Sequence, residues 1–280
     1  MLNNLPQDNL GLSVLLSLDQ GTSFGSGFRL KYADSNFLVT SRHVLYDESF
    51  KLRSNHLIVT CQSSRGYDLE PLIFEVELDK AKVFYSKTDD VAIFLIGTNK
   101  KLYDRNIPLK TDPNKHKRQS ELQLEEYINV TSPGNQLIIS VDSEATRKLD
   151  SILIANEIYL LGYPISLALQ QEKFFDYSKP LLRKGIIAGV NKKENTFIID
   201  CPSYFGNSGG PVIEHGEDDY YRTVGLVSRY IPFVVEWKNT REYISNKEYT
   251  NSGYTICVPM DAVFSLIDTN FKQDITTANS

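Results

Sequence analysis

Gly206-Asn207-Ser208-Gly209-Gly210-Pro211 frames one serine with glycines on both sides and ends in a proline. Glycines are placed this densely where the backbone must bend sharply and bring its N–H groups close to a reacting atom with no Cβ in the way. A serine hydroxyl is a weak nucleophile, so it needs a base to take its proton, and the base needs a partner to fix its tautomer. The oxyanion formed on an attacked carbonyl needs N–H donors about 2.7–3.1 Å away. The string therefore predicts acyl-transfer chemistry at Ser208, with partners supplied from elsewhere in the chain.

Two segments offer those partners. Phe37-Leu38-Val39-Thr40-Ser41-Arg42-His43-Val44 is an apolar, β-branched run that ends at a histidine. Lys87-Thr88-Asp89-Asp90-Val91-Ala92-Ile93-Phe94 sets two adjacent aspartates at the mouth of another strand-like run. The order is His, Asp, Ser, with 47 residues from His43 to Asp90 and 118 from Asp90 to Ser208. Such separations make no local motif, so tertiary folding must bring the three together. The glycine–serine pattern also fits the nucleophile turn of α/β-hydrolases, but that fold orders its triad Ser, acid, His. After Ser208 the only histidine is His215, seven residues on, and Gly209-Gly210-Pro211 leads into a strand instead of a helix, so that fold is rejected.

The elements that must hold these residues read as β structure. Runs rich in Val, Ile, Phe and Tyr recur at 57–61, 72–78, 81–85, 91–96, 137–141, 152–161, 196–200, 211–213, 223–230 and 254–258. Many short strands between turns predict a sandwich or barrels. One helix is expected, at the C-terminal end: Pro259 precedes it, Asp261 favours its first turn, and Val263, Leu266 and Ile267 share a face. The stretch 106–150 contains the polar run Asp112-Pro113-Asn114-Lys115-His116-Lys117-Arg118-Gln119 and reads as an inserted connection with a solvated basic loop. His56, His116 and His215 lack the strand-end setting of His43 and are expected to face solvent.

At 280 residues the chain can bury a substantial core, and 41% hydrophobic and 23% charged residues are ordinary for a globular protein. A formal charge of −5 supplies no electrostatic attraction to nucleic acid or an anionic membrane, and no apolar run approaches the roughly 20 residues of a membrane span. The N-terminal segment lacks the basic start and apolar stretch of a signal peptide. Cys61, Cys201 and Cys257 are odd in number and irregularly spaced, which predicts buried free thiols in a reducing cytosol. With histidines at 43, 56, 116 and 215 alone, no closely spaced metal-ligand pair exists, so neither metal nor organic cofactor is expected.

The chain resembles the chymotrypsin-like (trypsin-fold) serine peptidases, in the bacterial trypsin-like branch related to the heat-shock periplasmic proteases. The resemblance rests on Gly25-Ser26-Gly27-Phe28, Val39-Thr40-Ser41-Arg42-His43-Val44, Asp90-Val91-Ala92-Ile93, Leu161-Gly162-Tyr163-Pro164, Lys184-Gly185-Ile186-Ile187-Ala188-Gly189, the Gly206–Pro211 string and Val224-Gly225-Leu226-Val227-Ser228. It spans about residues 20–270. It implies an all-β fold of two six-stranded antiparallel β-barrels with a C-terminal helix packed on the second. The whole chain would be one peptidase domain: an N-terminal barrel at about 10–105, the connection at 106–150, and the second barrel with its helix at 151–270.

Roles follow from the resemblance one residue at a time. Ser208 is similar to the nucleophile, His43 to the general base, and Asp90 to the orienting carboxylate; Asp90 is preferred to Asp89 because the family's aspartate directly precedes a small apolar strand start. Gly206, Asn207 and Ser208 would form the oxyanion hole, and Ser228 would lie near the triad aspartate. Zymogen-type members carry Asp immediately before the serine; Asn207 stands there, which implies a loop independent of an N-terminal ion pair. The implied pocket comprises Pro202, Tyr204, Ser228, Arg229 and Tyr230, with no acidic floor and a bulky Tyr230, and so predicts uncharged small or medium side chains before the scissile bond. A second insertion at 232–253 would wall the cleft, with Trp237 either a substrate platform or lid core. The expected partner is a protein or peptide substrate, cleaved by a stand-alone peptidase with no appended peptide-binding domain. The competing expectation is a catalytically silent trypsin-fold binding module.

Overall fold

The computed structural model describes residues 7–18, 21, 23–63, 69–101, 108–109, 112–116, 120–134, 140–165, 176, 179–239, 241 and 244–277. A first group of strands comprises β1 (Ser13–Leu18), β2 (Ser23–Tyr32), β3 (Ser35–Thr40), β4 (His56–Cys61), β5 (Leu72–Glu77), β6 (Val83–Tyr85) and β7 (Ala92–Lys101), with one helical turn, α1 (Arg42–Leu45), after β3. The middle of the chain adds β8 (Pro108–Leu109), β9 (Asp112–His116), β10 (Ser120–Leu124), β11 (Ile128–Ser132) and β12 (Val141–Asp142). The second group is β13 (Glu157–Gly162), β14 (Leu181–Asn191), β15 (Thr196–Asp200), β16 (Pro211–His215), β17 (Tyr221–Asn239) and β18 (Ile244–Pro259), followed by α2 (Met260–Thr277).

Two curled, essentially antiparallel sheets result, as the resemblance implied. The second is a closed six-stranded barrel in the order β13-β14-β15-β18-β17-β16. The first is larger than expected: ten strands, with the path β10-β7-β3-β2-β1-β4-β5-β11, β6 beside β7, and β12 parallel to β2. The inserted connection expected at 106–150 contributes strands of its own: β10 pairs along the extended end of β7 and β11 along β5. These are short edge strands, in β11 with Ile128 alone buried, so each offers two alternating apolar residues, too few to mark a half-buried strand. Asp112–His116 forms a short pair with β8, while Lys117, Arg118 and Gln119 of the basic run lie outside the described residues.

Alternation along the strands sorts side chains into separate cores. On β7, Ala92, Phe94 and Ile96 fill the interior of the first sheet, whereas Ile93 and Leu95 point to a shared layer between the lobes. On β13, Ile158 and Leu160 fill the second barrel, whereas Tyr159 and Leu161 join the shared layer. Successive residues of a strand point to opposite faces, so runs buried on both sides read as near-continuous apolar stretches.

Helix α2 packs across both lobes and not on the second alone. Val263 and Ile267 are fully buried in the shared layer. Phe271 meets Phe37 and Phe84 of the first sheet edge-on, with ring centroids 4.9 and 5.0 Å away. Asp261 in its first turn accepts the Leu149 N–H at 2.7 Å and ties the interlobe connection to the helix.

Candidate active site

Strand register brings the histidine and aspartate segments together. β3 and β7 are antiparallel neighbours with Thr40 opposite Ala92, so the chain leaving β3 into α1 passes beside the chain entering β7. His43 and Asp90 thereby meet across 47 residues of sequence. His43 Nδ1 lies 2.8 Å from Asp90 Oδ2, and the His43 backbone N–H donates to Asp90 Oδ1 at 3.1 Å. Ser228 Oγ, from β17 of the second barrel, donates to Asp90 Oδ2 at 2.6 Å. Burial pushes the Asp90 carboxyl up, but hydrogen bonds and charge from His43, with the bond from Ser228, outweigh it and bring it down to about 2. The His43 side chain is 45% exposed.

Asp89 has a different job. Its Oδ2 accepts from Ser86 Oγ at 3.0 Å and Thr88 Oγ1 at 2.9 Å, which folds the loop on itself. Its Oδ1 accepts from Asn195 Nδ2 at 3.0 Å, in the turn between β14 and β15 of the other barrel. Of the two adjacent carboxylates, only Asp90 touches His43.

The serine loop is held from every side by uncharged groups. Gly206 has φ +93°, and a Cβ there would collide with the Tyr163 carbonyl. Gly209 has φ +84°, and a Cβ there would strike the Ser26 carbonyl of the first lobe. Ser26 N–H donates to Ser208 O at 2.8 Å, and Gly209 N–H donates to Val227 O at 2.8 Å. Ser26 Oγ donates to Gly206 O at 2.6 Å while accepting the Tyr163 N–H at 2.9 Å. Ser26 thus bridges the end of β13 and the serine loop from β2, a role that Gly25-Ser26-Gly27 does not reveal in sequence.

Among the described residues, the backbone N–H groups of Gly206 and Ser208 have no intramolecular acceptor, as oxyanion donors require. Asn207 departs from its expected place among those donors. Its N–H bonds to Tyr204 O at 2.9 Å, and its Oδ1 accepts the Tyr204 N–H at 2.9 Å. Asn207 is a buried clasp that closes the turn, and both amides flanking it are left available. The Ser208 hydroxyl donates to Ser228 O at 3.2 Å and makes no hydrogen bond to His43.

The expected pocket residues separate. Ser228 is buried and serves Asp90 and Ser208 instead of forming a wall. Tyr204 lies beneath the Arg183 guanidinium, 4.6 Å from ring centroid to Cζ. Phe205, 75% exposed, meets Tyr230 edge-on at 6.3 Å and forms an aromatic rim directly before Gly206. Pro202 is half-buried and Arg229 is exposed. Beyond Tyr230, β17 and β18 continue as a two-stranded arm, Pro232–Asn239 against Ile244–Asn251. Trp237 stands half exposed on that arm, so it is not core. His56 is exposed as expected; His215 is not, being stacked on Tyr221 at 4.7 Å and facing Glu157 and Asp219. The side chain of His116 lies outside the described residues. The three cysteines are buried and free; burial pushes the Cys61 thiol up to about 12 and Cys201 to about 11.

Two curled antiparallel sheets with a seam between them have the trypsin-like double-barrel fold. The serine endoprotease from Yersinia pestis superposes with a TM-score of 0.51 at 15% identity, covering 94% of this chain and 65% of that one. The HtrA-type protease AlgW with tripeptide superposes with a TM-score of 0.51 at 14% identity, covering 95% of this chain and 62% of that one. This chain therefore spans under two thirds of the length of either neighbour. No protein-family profile matches the chain. No curated protein matches it either.

Proposed function

We propose that the chain is a serine endopeptidase that cleaves peptide bonds through an acyl-enzyme on Ser208. The observation that carries this reading is the pairing of His43 Nδ1 with Asp90 Oδ2 at 2.8 Å beside a serine loop whose Gly206 and Ser208 amides lack acceptors. In this mechanism His43 takes the Ser208 proton as the oxygen attacks the carbonyl, and the two amides hold the oxyanion. His43 then returns the proton to the leaving amine, and water resolves the acyl-enzyme by the same route. Asp90 keeps the Nδ1–H tautomer and offsets the imidazolium charge without taking the proton.

We further read the site as constitutively folded. Support comes from Asn207, which clasps Tyr204 through neutral hydrogen bonds where zymogen-type relatives use a carboxylate. The substrate is a protein or peptide, and the rim of Phe205 and Tyr230 favours uncharged side chains before the scissile bond. The three buried free thiols support a reducing, cytosolic setting.

A second reading has one observation of its own. The Ser208 hydroxyl rests on Ser228 O and not on His43, the arrangement expected of a silent binding module that keeps the fold. A fluorophosphonate probe decides between the two. The peptidase labels at Ser208, and labelling disappears in Ser208→Ala; a folded protein that never labels is the binding module. A peptide-library profile dominated by Arg or Lys before the cut would overturn the specificity.

A further inference from the structure

Arg42 immediately precedes His43 in α1, and its side chain reaches under the loop that carries Asp90. One nitrogen, Nη1, donates to Ser86 O at 2.7 Å, Lys87 O at 3.2 Å and Asp89 O at 3.2 Å. Those carbonyls belong to the segment that ends at Asp90. Backbone carbonyls converging on a cation form charge-assisted hydrogen bonds, which are shorter and stronger than neutral ones.

The other face of the guanidinium is covered by an aromatic ring. Arg42 Cζ sits 5.0 Å from the centroid of Phe50, which stacks in turn on Tyr85 at 5.6 Å. Phe50 adopts φ +59°, a left-handed conformation that a bulky residue takes only at an energetic cost. The turn that imposes it is held by Asp47 Oδ1, which accepts from the Ser49 and Lys51 N–H groups at 2.8 and 2.9 Å. A strained phenylalanine, a cation and three carbonyls thus form one stack ending at Asp90. From the other side, Arg53 Nε donates to His43 O at 2.9 Å and to Tyr46 O at 3.1 Å, which fixes α1 itself.

We propose that Arg42 is a positioning residue that locks the Asp90 loop to the helical turn bearing His43, so that carboxylate and imidazole move as one rigid unit. The inference deepens the peptidase reading and rests on it for its catalytic consequence, but the locked geometry itself is a property of the resting protein. Misplacing a catalytic group by about 1 Å can cost on the order of 100-fold in rate. Phe50 secures the lock by covering the cation and excluding water from one side of it.

Two measurements on the full chain test this. The first is proton NMR of the His43 Nδ1–H, which resonates far downfield when it is held against a carboxylate. It is expected in wild type, lost or broadened in Arg42→Ala, and restored in Arg42→Lys, whose ammonium can still serve the three carbonyls. The second is the saturated rate of fluorophosphonate labelling of Ser208, with the half-saturating probe concentration followed separately. Arg42→Ala lowers the rate about 10- to 100-fold, leaves the half-saturating concentration unchanged, and is rescued by Arg42→Lys. Phe50→Gly guards against mere unfolding: it relieves the left-handed strain, so the protein stays folded while the downfield resonance broadens and labelling slows. An unaltered His43 resonance in both Arg42→Ala and Phe50→Gly overturns the proposal. Absence of labelling in wild type would overturn the peptidase reading alone, and the resonance would still decide the role of Arg42.

Discussion

Ser228 Oγ donates to Asp90 Oδ2 over 2.6 Å, while the carbonyl of the same residue accepts the Ser208 hydroxyl at 3.2 Å. One buried residue of the second barrel therefore touches Asp90 of the first lobe and Ser208 of its own. It sets the distance between the two halves of the site. This arrangement makes the electrostatics of Asp90 depend on how the lobes are docked.

Asp90 sits at about 2, below its ordinary 3.8. A lowered carboxylate contributes stability that is present above pH 3.8 and lost as pH falls through about 2. Wild type is therefore expected to lose stability between pH 4 and pH 2 more steeply than Asp90→Asn, as read by urea unfolding at each pH. Parallel curves for the two proteins would refute the assignment. The same variant leaves His43 an amide partner that favours the wrong tautomer, and turnover should fall about 10⁴-fold.

Under the proposed mechanism, removal of Ser208 or of His43 should be nearly equivalent, because the residues of a triad act as a unit. Ser208→Ala and His43→Ala are each expected to reduce peptide hydrolysis on the order of 10⁴–10⁶-fold. Peptide hydrolysis at wild-type rates by either purified variant would remove the proposed mechanism.

Gly206 can carry no Cβ without displacing the Tyr163 carbonyl, and its φ of +93° is hostile to other residues. Gly206→Ala should disturb the amides proposed to hold the oxyanion and slow fluorophosphonate labelling about 10²–10³-fold. Circular dichroism should report a retained β fold. Normal labelling in a folded Gly206→Ala protein would show that these amides are not the oxyanion donors.

Ser26 satisfies two buried backbone groups at once, Gly206 O and Tyr163 N–H. Ser26→Ala strands both, at a cost of about 1–3 kcal/mol for each buried group left unpaired. A lowered urea midpoint with an unchanged slope is expected, together with slower labelling of Ser208. An unchanged midpoint would mean that the loop is secured elsewhere.

The nucleophile string and the histidine segment were legible in sequence because their chemistry demands rare local patterns. Glycines at φ +93° and +84° leave a mark that composition cannot hide. The inner parts of β7, β13 and β17, at 92–96, 157–161 and 223–228, were equally plain, since burial on both faces forces apolar runs, whereas the exposed outer half of β17 reads as an insertion. β10 and β11 were not legible: each is a five-residue edge strand with two alternating apolar residues, too short a signal to separate from the polar stretch around it. The reach of α2 onto the first lobe was also hidden, because the apolar face of a helix does not say which sheet covers it.

Sequence alone determined the candidate residues and their order, since a serine between left-handed glycines and a histidine just past a strand end are local requirements of the backbone. Tertiary structure decided which of two adjacent aspartates meets His43, that the amide of Asn207 closes a turn, and that Ser228 serves both halves of the site. Asp89 and Asp90 differ by one position, and only the pairing of Thr40 with Ala92 turns that position into contact or its absence. Hydrogen bonds between groups 138 residues apart, such as Ser228 to Asp90, come into being when the two lobes dock, and no shorter stretch of chain contains them.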